Sequence, residues 1–233
     1  MNDKNFQLLL TAARLLEPLL EELVFVGGCA TGLMITDAAA PDIRPTLDVD
    51  AIAQITSYLE YVKFCERLRA IGFSEDIGAG APICRWKHGE IRLDVMPLDA
   101  AILGFTNRWY EAAMQAAGRA TLESSLQIRV VTPPYFVATK LEAFKGRGGG
   151  DYFESSDLED LISVVDGRPE LLAETRRAPD DLKRYIAAEM NTLLHEPHFI
   201  DALPGYLLPD AISQRRIRIL LRRLQELTAT LNT

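Results

Sequence analysis

The hydrophobic pattern of this chain changes at Pro133-Pro134, and this change constrains the fold more than any other feature. Before the two prolines, short apolar runs such as Leu23–Val26 alternate with segments of helical periodicity, which is typical of an α/β domain. After them only helical periodicity recurs, for example over residues 156–165. We therefore expect an α/β (α+β) domain with a mixed sheet over residues 1–132 and an α-helical domain over residues 133–233.

Charge and cysteine content narrow the class of protein. The 25 lysines and arginines are outnumbered by 33 acidic residues, and the net charge of −8 disfavours a general nucleic-acid coat protein. No stretch reaches the roughly 20 apolar residues of a membrane span, and the first residues lack the pattern of a signal peptide. The three cysteines form no CxxC pair. These features predict a cytoplasmic protein with reduced thiols and no membrane partner.

The most informative segment for chemistry is Asp48-Val49-Asp50, in a predicted strand over residues 47–52. Side chains at i and i+2 of a strand share a face and lie roughly 6.6 Å apart, so both carboxylates can reach one divalent cation. Mg²⁺ takes such oxygen ligands and exchanges its waters for substrate phosphates. Two acids in a strand also occur simply on a solvated face. Ile52 stands where a haloacid-dehalogenase-like phosphatase would have threonine.

Two glycines follow the predicted strand Leu23–Val26 and precede a predicted helix over residues 29–35. Backbone N–H groups exposed at the start of a helix are suited to binding phosphate. The alternative is that Gly27 and Gly28 only allow a tight strand-to-helix turn.

Together these segments resemble the core of the polymerase-beta type nucleotidyltransferase superfamily. The Gly-Gly-x-Ala form at 27–30 and the Arg-x-Thr-x-Asp-x-Asp form at 44–50 are similar to those of AbiEii/AbiGii and MenT-type toxin nucleotidyltransferases. The resemblance covers residues from about 24 to 165 and implies a nucleotidyltransferase core followed by a helical domain. Cys29 departs from it, because related transferases often have Ser or Thr at that position.

The resemblance also implies roles for individual residues. It assigns Mg²⁺ or Mn²⁺ binding to three aspartates, namely Asp48, Asp50 and Asp94. It assigns nucleotide binding to Gly27, Gly28, Thr31 and Lys140. Lys140 and Asp157 would complete the catalytic group with the three aspartates, and Lys140 would contact the nucleotide phosphates. Asp157 and Asp160 lie i and i+3 on one predicted helix face, so they could jointly orient Lys140 or a bound ligand. The alternative is an ordinary exposed lysine, with Asp157 as a favourable charge at a helix N-terminus.

The implied reaction is metal-dependent transfer of a nucleoside monophosphate from an NTP to an acceptor hydroxyl. Three functions remain open: a toxin that modifies tRNA or a protein and has an antitoxin partner; a small-molecule transferase of the antibiotic-modifying type; and an inactive nucleotide-binding or interaction module. The complete set of three aspartates favours an enzyme. For RNA, the sequence offers Lys145 and Arg147 beside the glycine-rich run 146–150, and arginines on a predicted helix 213–231. These are Arg215, Arg216, Arg218, Arg222 and Arg223, interpreted first as a solvated face.

Overall fold

The computed structural model describes residues 4–147 and 150–229, which form two units. The first unit comprises the residues up to Leu33 together with Pro45–Thr132. The second comprises Met34–Arg44 together with the residues from Pro133 onward. Among the helices of these residues, none combines the length and apolar character needed to cross a bilayer.

A seven-stranded mixed sheet forms the centre of the first unit. Its strands are β1 Leu23–Val26, β2 Val49–Ala53, β3 Ser74–Glu75, β4 Arg85–His88, β5 Ile91–Pro97, β6 Gly118–Glu123 and β7 Leu126–Val130. The strand order is β3-β4-β5-β2-β1-β7-β6. The β2/β5 and β1/β7 pairs are parallel, and the other pairs are antiparallel. The predicted α/β class with a mixed sheet is confirmed, although β3, β6 and β7 were not predicted.

Helices of the first unit pack against this sheet. They are α1 Lys4–Leu15, α2 Gly27–Thr31, α3 Tyr58–Ala70, α4 Ala100–Leu103 and α5 Tyr110–Gln115. The hydroxyl of Ser57 accepts the backbone N–H of Glu60 at 3.3 Å and caps α3, as the Ser-x-x-Glu pattern predicts. Leu9 and Ala13 belong to the same buried cluster as Phe25 and Val49, so the apolar face of α1 and the central strands share one core.

The second unit is helical. Its helices are α6 Pro133–Arg147, α7 Ser156–Gly167, α8 Leu171–Arg176, α9 Asp180–Leu194, α10 Pro197–Ala202, α11 Ala211–Arg215 and α12 Ile217–Thr228. This confirms the predicted helical part after Pro133. The single helix predicted over residues 213–231 is wrong, because Arg216 separates α11 from α12. Residues 230 and 231 of that prediction lie outside the described part of the chain.

The segment Met34–Arg44 belongs to the second unit, whereas the predicted boundary at residue 132 placed it in the first. The backbone N–H groups of Thr36 and Asp37 both donate to the carbonyl of Gly167, each at 2.9 Å. Arg216 adds an ion pair to Asp37 at 2.7 Å. These partners are more than a hundred residues away in the chain, so no local pattern could reveal them.

Candidate active site

The three predicted aspartates lie at neighbouring positions of the first unit's sheet. β2 and β5 run parallel, and their register sets Asp50 directly beside Asp94. Asp48 comes immediately before β2. Only 7% of Asp94 is exposed, so this carboxylate is largely removed from water.

A guanidinium joins two of these carboxylates. Arg85 donates from Nε to Oδ1 of Asp94 and from Nη2 to Oδ2 of Asp94, both at 2.7 Å. The same Nη2 donates to Oδ2 of Asp48 at 2.6 Å. Thr46 donates its hydroxyl to the other oxygen of Asp48 at 2.8 Å. Because one nitrogen contacts both aspartates, oxygens of Asp48 and Asp94 converge on a single point that holds a positive charge.

The three aspartates supply carboxylate oxygens that Mg²⁺ or Mn²⁺ could use as ligands. The carboxylate oxygens are the ligand type these ions prefer. Within residues 4–147 and 150–229, however, no three His, Cys, Asp or Glu side chains are arranged as metal ligands. The facing oxygens of Asp48 and Asp94 contact the guanidinium of Arg85 instead. The three aspartates therefore do not form a three-ligand metal site, and the cation between Asp48 and Asp94 is the side chain of Arg85.

Gly27 makes room for Asp50. Its φ of +70° lies in the left-handed region, which strongly favours glycine. A Cβ atom at this position would lie 1.9 Å from Oδ2 of Asp50, well inside the contact distance. The strand-to-helix turn therefore brings its backbone against the carboxylate of Asp50. This explains the first glycine of the motif by space and backbone conformation.

The remaining motif residues stabilise the turn. Cys29 and Thr31 are both about 1% exposed. The thiol of Cys29 donates to the backbone carbonyl of Val26 at 3.3 Å. The hydroxyl of Thr31 donates to the backbone carbonyl of Gly27 at 3.5 Å. The helix α2 has five residues and starts at Gly27 rather than at Cys29. A nucleotide contact by Gly27, Gly28 or Thr31 stays a prediction.

Cys84 is a further group beside the aspartates. It is 5% exposed, and burial raises the pKa of its thiol to about 12, with smaller contributions from the charges of Asp94 and Asp50. A thiol with this pKa keeps its proton at neutral pH and is a poor nucleophile.

In the second unit, Lys140 and Asp157 form a buried cluster with Asp160. The ammonium of Lys140 donates to Asp157 at 3.1 Å and to Asp160 at 2.7 Å. The side chains of Lys140, Asp157 and Asp160 are 9%, 5% and 4% exposed, respectively. Arg44 approaches Asp160 at 3.4 Å and Glu159 at 3.2 Å. The alternative of an ordinary exposed lysine is wrong, and the contact of Lys140 with phosphates stays a prediction.

The candidate RNA-binding residues divide into two groups. Arg215, Arg218 and Arg222 are exposed, as a solvated face requires. Arg216 instead contacts Asp37 and Asp166, and Arg223 donates to the backbone carbonyls of Val165 and Asp166. Their guanidinium groups are therefore engaged within the unit. Lys145 pairs with Glu189 at 2.6 Å, while the side chain of Arg147 and residues 148–149 lie outside the described part of the chain.

Sequence reasoning missed Arg85 and Cys84. The sequence predicts strands over residues 83–87 and 91–96 joined by a tight turn at His88-Gly89, and that register would set Arg85 opposite Arg92. The observed pairing of His88 with Ile91 sets Arg85 directly opposite Asp94. The turn therefore lies at Gly89-Glu90, one residue later than predicted, and this shift decides which residue lies opposite Arg85.

Comparisons with known proteins give little further information. No protein-family model matches the chain, and no curated protein sequence matches it. Solved structures that resemble it include a crystal structure of an H. pylori protein provisionally named a nucleotidyltransferase. That likeness covers 96% of each chain at 10% sequence identity with a TM-score of 0.46. A similarity this weak carries no argument about function, so the functional conclusion depends on the site.

Proposed function

We propose that this protein is an NTP-dependent nucleotidyltransferase that moves a nucleoside monophosphate to an acceptor hydroxyl. One observation carries the proposal: carboxylates of Asp48 and Asp94 converge on one cationic atom, and Asp50 lies in register beside Asp94. The turn at Gly27 lies against Asp50, which brings a glycine backbone to the same cluster. Grouped acids beside a glycine turn suit the binding of a metal-bound phosphate chain.

The roles follow from the chemistry of each group. Asp48, Asp50 and Asp94 would hold Mg²⁺ or Mn²⁺, which when bound stabilises the charge that develops on the transferred phosphoryl group. Asp94 would also orient the acceptor hydroxyl and accept its proton. The backbone at Gly27 and Gly28 would contact the triphosphate of the NTP. Thr31 would act through the turn, because its hydroxyl contacts the carbonyl of Gly27.

For the acceptor we propose a macromolecule, either tRNA or a protein, as in toxins that have an antitoxin partner. The exposed Arg215, Arg218 and Arg222 support a polyanionic acceptor, since cationic side chains neutralise phosphates. A small-molecule acceptor of the antibiotic-modifying type is the second candidate within the same chemistry. The intracellular tRNA pool would place this activity in the cytoplasm.

An inactive nucleotide-binding module is favoured by one observation, the ion pairs of Arg85. A guanidinium that permanently neutralised Asp48 and Asp94 would keep a metal out. An active nucleotidyltransferase would consume NTP, whereas the inactive module would bind NTP without turnover.

The test is to incubate the protein with α-labelled NTPs, Mg²⁺ and separate pools of tRNA, protein and aminoglycoside-like compounds. We expect label in one pool and a loss of about 10²-fold or more in Asp48→Asn and Asp94→Asn, because metal-assisted charge stabilisation is worth several kcal/mol. Asp201→Asn is the matched control, since this exposed aspartate of α10 loses the same charge. Labelling of tRNA should also weaken steeply with salt. Undiminished transfer in Asp48→Asn, or no label in any pool, would contradict the proposal.

A further inference from the structure

Asn5 is a polar side chain on the apolar face of α1, and it is only 2% exposed. The other buried residues of this helix are Leu9, Leu10, Ala12 and Ala13. A buried amide destabilises a fold unless its polar atoms are hydrogen-bonded. The side-chain carbonyl oxygen of Asn5 accepts the backbone N–H of Thr46 at 2.9 Å. Asn5 therefore holds the segment of the chain that leads into β2.

Thr46 in turn contacts a residue of the candidate active site. Its hydroxyl donates to Oδ1 of Asp48 at 2.8 Å, while Oδ2 of Asp48 accepts from Arg85 at 2.6 Å. Residues 41–48 belong to no helix or strand, so no regular set of backbone hydrogen bonds holds them in place. Side-chain contacts therefore fix this segment, and the contact from Asn5 lies two residues before Asp48.

We infer, as an extension that rests on the proposed function, that Asn5 is a positioning residue for Asp48. Asn5 fixes the backbone at Thr46, and this places the Thr46 hydroxyl where it holds one oxygen of Asp48. The carboxylate is thereby kept in one orientation. Because a displacement of about 1 Å can slow an enzyme roughly 10²-fold, the orientation of Asp48 affects the rate of transfer.

The first test compares steady-state nucleotide transfer in wild type and Asn5→Leu. Leucine keeps the branching of the asparagine side chain and removes the acceptor. We expect kcat to fall about tenfold while the KM for NTP stays within about twofold, because the proposed role of Asp48 concerns the charge that develops during transfer and not the affinity for NTP. Asn5→Asp keeps an oxygen acceptor and should recover most of the lost kcat.

Asn107→Leu is the matched control. Asn107 is also buried, and its side chain also accepts a backbone N–H, that of Trp109 at 3.1 Å. This contact lies at the start of α5, so its loss should destabilise the fold and leave kcat at the wild-type value.

A double-mutant cycle tests whether Asn5 acts through Thr46. Thr46→Val removes the hydroxyl that donates to Asp48. If both residues serve the same orientation, the double variant Asn5→Leu with Thr46→Val should lose no more kcat than the more impaired single variant. A loss equal to the product of the two single losses is the result for independent sites and would overturn the inference.

A spectroscopic readout does not depend on turnover. The ¹³C signal of the Asp48 carboxyl carbon, assigned with Asp48→Asn, responds to the hydrogen bonds of that group. We expect Asn5→Leu and Thr46→Val to move this signal and Asn107→Leu to leave it in place. If Asn5→Leu does not fold, as judged by circular dichroism, the smaller Asn5→Ala takes its place in every measurement.

The outcomes separate the inference from the proposed function. Asp48-dependent transfer, with a wild-type kcat and an unmoved Asp48 signal in Asn5→Leu, would overturn the inference and leave the proposed function standing. An equal loss of kcat in Asn107→Leu would show general destabilisation and would also overturn the inference. No transfer by the wild type would overturn the proposed function and the inference with it.

Discussion

Two regions of this molecule use the same local arrangement, a cationic side chain between two aspartates, in different surroundings. In the first unit the arrangement consists of Arg85 with Asp48 and Asp94. In the second it consists of Lys140 with Asp157 and Asp160. Donor–acceptor distances lie between 2.6 and 3.1 Å in both, so distance does not distinguish them.

Exposure does distinguish them. In the first cluster the side chain of Asp94 is 10% exposed and that of Asp48 is 29% exposed, whereas Asp157 and Asp160 are 5% and 4% exposed, so the clusters differ mainly at Asp48. When a buried charge loses its partner, the full desolvation penalty of that charge destabilises the fold. When a partly exposed charge loses its partner, water solvates the charge and offsets much of this penalty. We therefore expect loss of a partner to cost more stability in the second cluster, which joins α6 to α7, than at Asp48 in the first. Lys140 contacts two buried carboxylates here, and its contact with nucleotide phosphates stays a prediction.

A third cluster lies between these extremes. Arg216 donates to Asp166, which is 2% exposed at its side chain, and to Asp37, which is 23% exposed. One side of this cluster is therefore buried and the other partly hydrated. The three clusters therefore form a series in burial. We expect burial, more than the ion pair itself, to decide how much each partner contributes to the free energy of unfolding.

The largest effect is expected for Lys140→Ala. This change leaves Asp157 buried without its ammonium partner, and we expect the free energy of unfolding to fall by about 3–5 kcal/mol, measured by urea denaturation. Lys145→Ala is the control on the same helix, because the Lys145–Glu189 pair is 47% exposed at the lysine and should contribute about 0–1 kcal/mol. Similar losses of unfolding free energy in Lys140→Ala and Lys145→Ala would contradict the view that burial decides the strength of these ion pairs.

A smaller effect is expected for Gly27→Ala. The substitution forces a Cβ into a left-handed backbone and against the carboxylate of Asp50, so it should cost about 1–3 kcal/mol in thermal or urea unfolding and reduce nucleotide transfer. Gly104→Ala is the control, because it measures the cost of a left-handed backbone conformation alone. Gly104 has a φ of +81°, and no atom lies within 4 Å of the added Cβ. If both variants lose the same stability and keep transfer, Asp50 is not held by this turn.

The smallest effect concerns the pH dependence contributed by Asp37. The hydrogen bond from Arg216 lowers the pKa of Asp37 below its usual value. Its stabilising contribution is thus present above the unfolded-state pKa, roughly 3.9, and is lost as the pH falls through the lower pKa of the folded state. Asp37→Asn should cost at most about 1 kcal/mol at pH 6 and progressively less toward pH 2.

This dependence is measured as the difference in unfolding free energy between wild type and Asp37→Asn at each pH. A difference that stays constant with pH would show that the pair contributes no charge interaction. A loss as large as that of Lys140→Ala would show that partial exposure does not weaken an ion pair here.

Much of the fold was predictable from local patterns in the sequence. Leu23–Val26 is a strand with the predicted bounds, and Ser57 caps α3 as its spacing to Glu60 indicates. These features depend on neighbouring residues, whose preferences are visible in the chain itself. The hairpin β6–β7 was missed although Leu126, Ile128 and Val130 alternate with Gln127 and Arg129, which is the period-two pattern of a half-buried strand.

The sequence by itself determined which residue types stand at the candidate site and that Asp48 and Asp50 lie two residues apart at the start of a strand. Only the tertiary structure decided that Arg85 lies between Asp48 and Asp94, that Met34–Arg44 belongs to the second unit, and that Lys140 is buried. The physical reason is one of range. Backbone periodicity acts over a few residues, whereas strand pairing, ion pairing and exclusion of water depend on groups that are distant in the chain until it folds.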